Sequence, residues 1–148
     1  MIVQFKKEIK KSGGACLRFA QSIKHAQYLM NLYYFFNIFV KTPPKAYEKS
    51  LQGNLYVQLY FQTKIFSFFT SLYVTFYPNG TKTIPFTFIK KHLTPISLAF
   101  WFMDDGAKAG SGYMYHTDGF SKEDVLRLIF ILNKKFDLNC NIWSRTDK

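Results

Sequence analysis

The stretch "LTPISLAFWFMDDG", residues 93–106, ends an oily run with two adjacent carboxylates and a glycine. Thr94 can cap a helix, Pro95 suits its first position, residues 96–103 propagate it, and Gly106 suits a left-handed residue just past its end. Because "ISLAFWFM" is apolar on every side, the pattern predicts a helix buried all round, between two subunits or two repeats. Asp104 and Asp105 then fall at the helix C-terminus, where the backbone carbonyls already concentrate negative charge. Each carboxylate there costs a few tenths to about 1 kcal/mol. A hard divalent cation would reverse that sign, since Mg²⁺ takes one or two carboxylates together with phosphate oxygens and waters. Two such ends meeting at a two-fold would suit in-line phosphodiester hydrolysis. "DDG" is also an ordinary turn sequence, and a solvated loop start stays open on these residues alone.

At 148 residues, 48% hydrophobic and 20% aromatic, the chain has material for one packed domain of ordinary size. Twenty Lys and Arg against nine Asp and Glu give a net charge of +11, a surplus that favours a polyanionic partner, with nucleic acid ahead of an anionic membrane. Cys16 and Cys140 stand far apart without a C-x-x-C pair, so neither a zinc site nor a disulfide framework is indicated. The longest apolar run, "YLMNLYYFFNIFV", is interrupted by Asn31 and Asn37 and is shorter than the about 20 residues a spanning helix needs. The first residues, "MIVQFKKEIKKSGG", carry Glu8 and too little apolar length for a secretory leader. Heavy use of Phe, Tyr, Lys, Ile and Asn points to an AT-rich, organellar coding genome, mitochondrial or, as the alternative, that of a chloroplast.

Along the chain, "ACLRFA" alternates as a strand, and Ser22 then opens a helix predicted over residues 22–39. "KTPPKAYEK" turns into a basic strand. "LYVQLYFQ" alternates, with Leu55, Val57, Leu59 and Phe61 on one face and Tyr56, Gln58, Tyr60 and Gln62 on the other. A helix over about residues 64–76 ends at "YPNG". After the opening stretch come the strand "GYMYHTD", a helix capped by Ser121 with Lys134 and Lys135 in its last turn, and a strand "NCNIWS". Strand then helix occurs twice, Arg18 aligning with His116 and Ser22 with Ser121, which suggests a duplicated unit.

"LTPISLAFWFMDDG" followed by "SGYMYHTDGFSKEDVLRLIFILNKKFDLNC" resembles the second half of a LAGLIDADG homing endonuclease of the two-motif kind found in organellar introns. "LRFAQSIKHAQYL" and "FYPNGTKTIP" resemble the joining parts of its first repeat. The resemblance implies an α+β fold of pseudo-two-fold αββαββα repeats whose antiparallel sheets lie on DNA. Both repeats would be incomplete, residues 1–92 the first without its motif helix and residues 93–148 the second, truncated. It also implies metal-dependent (Mg²⁺) hydrolysis of double-stranded DNA at a long intron-insertion site.

Carried over by position, Asp105 matches the motif's metal-binding aspartate and Asp104 a variable place beside it. Ala99 is a small residue at the helix contact, and Phe100 replaces the motif's glycine. Lys82 of "TKTIP" matches an active-site lysine, although a lone loop lysine is ordinarily just solvated. Arg18 and His116 match polar groups near the active centre; as residues they also suit an exposed strand position and a surface histidine. Tyr47, Lys49, Tyr56, Gln58 and Gln62 are candidates for a DNA-reading strand face, or for an ordinary wet one.

A two-motif enzyme needs an acid at the end of each motif helix. The first motif is not found, and Lys6 or Lys7 falls about where its aspartate would, with Glu8 the nearby acid. The second active-site lysine is not found either, apart from Lys148. Weak or no cleavage by this chain alone is therefore expected, with a complementing N-terminal repeat or a second copy supplying the rest. The alternatives are a maturase that binds its own intron RNA, and a degenerate DNA-binding remnant.

Overall fold

The computed structural model describes residues 13–143, and residues 2–7 and Leu51 by their backbone. Two compact units divide between Tyr73 and Val74. In the first, β1 (Ile2–Lys7), β2 (Ala15–Ser22), β3 (Lys45–Leu51) and β4 (Asn54–Gln62) form an antiparallel sheet of order β1-β2-β4-β3, with α1 (Ala26–Phe36) and the first seven residues of α2 (Ser67–Phe76), within which the division falls. A helical turn at each end of α1 extends it over the span predicted from Ser22, whose hydroxyl accepts from the Lys24 amide.

Alternation decides which face is covered. Phe19 and Phe61 sit opposite each other in the β2–β4 ladder and stack with ring centroids 4.7 Å apart, and Phe36 and Tyr33 of α1 close over them at 4.8 and 5.6 Å. Leu29 and Leu32 complete this core. The sheet margin is satisfied through side chains: the buried Thr63 hydroxyl accepts from the Leu17 amide at 3.0 Å, and the Thr70 hydroxyl from the Ala15 amide at 3.0 Å. A side chain at Gly14 would collide with Ile65, so glycine there permits the close approach.

The second unit holds α3 (Phe86–His92), α4 (Pro95–Asp105), the hairpin β5 (Gly106–Ala109) and β6 (Gly112–Tyr115), and α5 (Lys122–Phe136). Its core is Ile84, Leu93, Leu128, Ile131 and Leu132, with Leu98 and Trp101 of α4 against it. α4 opens as predicted: the Thr94 hydroxyl accepts from the Ser97 amide and the Ser97 hydroxyl from the Thr94 amide, a reciprocal capping box. α5 likewise starts at Ser121, which accepts from the Asp124 amide at 3.1 Å.

Four points depart from these expectations. Gly106 is not left-handed; at φ −89° it is extended and is the first residue of β5. Glycine is required because a Cβ would strike the Phe102 ring and carbonyl. "DDG" is therefore not a turn, since helix passes directly into strand. α4 is not buried all round: Ile96 is 71% and Met103 55% exposed, and Ala99 between them is open too. Residues 139–143 are not a strand, because the Asn133 side chain donates to the Cys140 carbonyl and accepts from the Cys140 amide, taking the groups a ladder would use. α3 was not foreseen, its seven residues being bounded by Pro85 and the strand-like Leu93.

Lys6 and Lys7 lie within β1. Glu8 and Lys148 are outside the described residues. The architecture is α+β, as the resemblance implies, in the order ββαββα and then ααββα. No helix among the described residues is long and apolar enough to cross a membrane.

Candidate nucleic-acid interface and carboxylate site

In an antiparallel ladder directly opposed residues share a face. Arg18 opposes Gln62, Tyr47 opposes Gln58, Lys49 opposes Tyr56 and Lys45 opposes Tyr60. All six first-unit candidates, Arg18, Tyr47, Lys49, Tyr56, Gln58 and Gln62, therefore stand on one face of the sheet, opposite the face that carries Phe19 and Phe61. Lys49 and Tyr56 are exposed, while Arg18, Gln58 and Gln62 are half-buried.

Within that face four side chains touch. The Arg18 guanidinium lies over the Tyr60 ring, 4.4 Å from its centroid, and 5.8 Å from that of Tyr47. The two tyrosines meet edge-on at 5.3 Å, and the Tyr47 hydroxyl donates to Gln58 Oε1. Tyr60 was missed as a functional candidate although it alternates with Gln58 and Gln62; the rule that assigned the face already included it. Lys45 was missed for a different reason: its place depends on register with a strand 15 residues away.

The second unit holds the carboxylates. Asp105 is the last residue of α4, half-buried, and its carbonyl accepts from the His116 amide at 2.9 Å. The helix end is thus tied to the residue after β6, and His116 itself is exposed. The hairpin is pinned to α4 by rings: Trp101 and Tyr115 lie 5.4 Å apart, and Phe102 meets Tyr113 at 5.2 Å and Tyr115 at 5.5 Å. Burial, and secondarily Cys140, raises the Tyr115 pKa above its ordinary value, and burial raises that of Cys140.

Lys82 is exposed in the loop before α3, its ammonium 4.6 Å from the centroid of the Phe120 ring at the approach to α5. No sequence signal pairs these two residues. Among the described residues no group of three or more His, Cys, Asp or Glu could enclose a metal ion. Asp104 and Asp105 nevertheless fit Mg²⁺ in kind: hard oxygen donors, one or two in number, leave coordination places for phosphate and water.

A family model described as the LAGLIDADG DNA endonuclease family matches residues 3–148. The chain is similar to the probable intron-encoded endonuclease 1 of Wickerhamomyces canadensis, with 35% identity over 144 residues, 92% of this chain and 62% of that protein. It is also similar to the cytochrome b mRNA maturase bI2 of Debaryomyces hansenii, with 30% identity over 87% of this chain and 51% of that one. The solved structure of the homing endonuclease I-WcaI bound to its DNA recognition sequence superposes with a TM-score of 0.85 at 34% identity, over 95% of this chain and 65% of that one. The chain thus spans between half and two thirds of the length of these proteins.

Proposed function

The chain belongs to the LAGLIDADG DNA endonuclease family, and from that premise we propose that it takes part in site-specific, metal-dependent hydrolysis of double-stranded DNA at an intron-insertion site. The observation that carries the proposal is the helix α4, whose open Ile96–Ala99–Met103 side leads straight to Asp105. That side suits a second motif helix, from a complementing N-terminal repeat or a second copy of the chain, which would bring a second carboxylate beside the first.

In this mechanism the sheet face of the first unit takes the duplex, with Lys49 on the phosphates and Arg18, Tyr56, Gln58 and Gln62 toward the bases. Asp105, with Asp104 beside it, would hold a divalent cation, most simply Mg²⁺, which would supply Lewis acidity toward the scissile phosphate and water. Lys82 stabilises the charge that develops on the phosphate. His116, tied through its amide to the Asp105 carbonyl, keeps a polar side chain near the helix end. The relatives' names, intron-encoded endonuclease and cytochrome b mRNA maturase, support an intron-borne frame in an organelle, mitochondrial before chloroplast.

The test is cleavage of a duplex spanning the intronless junction. The chain alone with Mg²⁺ leaves it intact, and adding a segment that supplies a motif helix ending in Asp restores cutting that Asp105→Asn abolishes. Efficient cutting by the isolated chain would overturn the need for a partner, and cutting by Asp105→Asn would overturn the assignment of the carboxylate. The similarity to a maturase favours a second reading, assistance to splicing of its own intron RNA by the basic surface. Asp105→Ala spares that activity and removes cleavage.

A further inference from the structure

Four strands at the usual spacing span about 14 Å, close to the roughly 12 Å width of a major groove. Inner strands then face base edges, and an edge strand lies against a phosphate backbone. β2 is an inner strand and β3 an edge, so Arg18 and the lysines of β3, Lys45 and Lys49, have different tasks. Lysine is a point charge suited to phosphate, whereas a guanidinium offers a planar fork of donors.

Arginine is scarce in this chain, with Arg18, Arg127 and Arg145 against 17 lysines. Arg127 is spent within its helix, 2.5 Å from Glu123 and 3.7 Å from Asp124. Arg18 has no carboxylate partner among the described residues, and the rings of Tyr60 and Tyr47 lie against it. A ring against the guanidinium face leaves the donors at its edge unspent. Packing also removes rotamer freedom before any ligand arrives. Tyr47 is itself fixed by its hydrogen bond to Gln58 Oε1, so ring, amide and guanidinium form one connected unit.

We propose that Arg18 is the guanine-reading group of this face, held for the contact by Tyr60 and Tyr47 as positioning residues. Guanine is the base whose major-groove edge presents two adjacent acceptors, O6 and N7, matched to a guanidinium fork. The assignment rests on the sheet being the DNA-binding surface and goes further by naming the base and the residues that aim at it.

The test is selection of bound duplexes from a randomised library by the full chain, compared with Arg18→Lys, Tyr60→Leu and Tyr60→Phe, each checked for folding by circular dichroism. The wild-type chain enriches a G·C pair at one position. Arg18→Lys, which keeps the charge, lowers that preference by about 5- to 100-fold and leaves the other positions intact. Tyr60→Leu weakens the same position, and Tyr60→Phe, which retains the ring, restores it. The proposal is overturned if Arg18→Lys leaves the profile unchanged, if Arg18→Lys weakens all sequences equally, or if Tyr60→Leu behaves as wild type. Enrichment of no sequence together with a flat salt response would overturn the DNA-binding reading itself. An enriched site without an Arg18-dependent guanine overturns only the assignment made here.

Discussion

Hairpin β1–β2 of the first unit continues into β4 and β3, so β2 is paired along both edges. Hairpin β5–β6 of the second stands as two strands of four residues each and is held by the rings of Trp101 and Phe102 on α4. An isolated two-stranded hairpin is marginal in water, and packing on a helix is what such a pair needs. The same supersecondary unit is thus stabilised by ladder bonds in one place and by aromatic contacts in the other. The difference has a functional side. The broad sheet supplies a surface, whereas the short hairpin fixes the end of a helix and therefore a carboxylate.

Core truncation breaks the comparison most severely. Phe61 is 2% exposed in the first unit and Ile131 2% in the second. Phe61→Ala is expected to cost about 3–5 kcal/mol and Ile131→Ala about 2–5 kcal/mol. The two tryptophans of the chain, Trp101 and Trp143, both belong to the second unit, so tryptophan fluorescence follows that unit alone. In urea, Ile131→Ala shifts the fluorescence midpoint more than Phe61→Ala does, and amide exchange in β2 and β4 shows the reverse order. Equal shifts by both probes for both variants would mean that the units unfold as one.

A smaller effect sharpens the point at the helix–strand junction. Gly106→Ala puts a methyl into the Phe102 ring and carbonyl at a φ of −89° that alanine itself tolerates. The cost is therefore overpacking, about 1–3 kcal/mol, and Phe102→Leu in the same chain recovers part of it. Phe102→Leu leaves the clash with the Phe102 carbonyl, so failure of the rescue would show that the carbonyl and not the ring sets the cost.

Much of the fold was legible because local rules agreed with one another. Ser22, Thr94 and Ser121 marked helix starts, alternation assigned both faces of β4, and "YPNG" marked the end of α2, where Asn79 and Gly80 take φ values of 55° and 78°. Gly106 misled because one residue type answers two demands, a positive φ and a close approach, and only the Phe102 ring tells them apart. The strand expected near Cys140 failed because a side chain seven positions earlier captured its backbone, a contact no alternation pattern encodes. Of the site, the carboxylate end of α4 and the members of the sheet face were readable from pattern and resemblance. The stacking of Arg18 on Tyr60 was not, since it depends on the register of β2 against β4 across more than forty residues.

The least of the expected effects lies in alkaline solution. Burial favours the neutral thiol of Cys140 and the neutral phenol of Tyr115, so both pKa values stand above those of the unfolded chain. A raised pKa contributes stability that is complete below the unfolded value and is lost as pH climbs through the folded one. For Cys140 the loss begins near pH 8.5, and for Tyr115 near pH 10, taking about those values for the unfolded groups. Both side chains are only half-buried, so the decline is shallow. Trp101, 5.4 Å from Tyr115, gives the readout: the melting temperature of the second unit, followed by fluorescence, falls gradually above about pH 8.5. Cys140→Ala removes the earlier part of the fall and leaves the later part, which belongs to Tyr115. A variant whose profile overlays the wild type would show that burial of the thiol contributes nothing to the alkaline response. The hairpin would then owe its alkaline sensitivity to the phenol that donates to the Leu98 carbonyl at 3.4 Å.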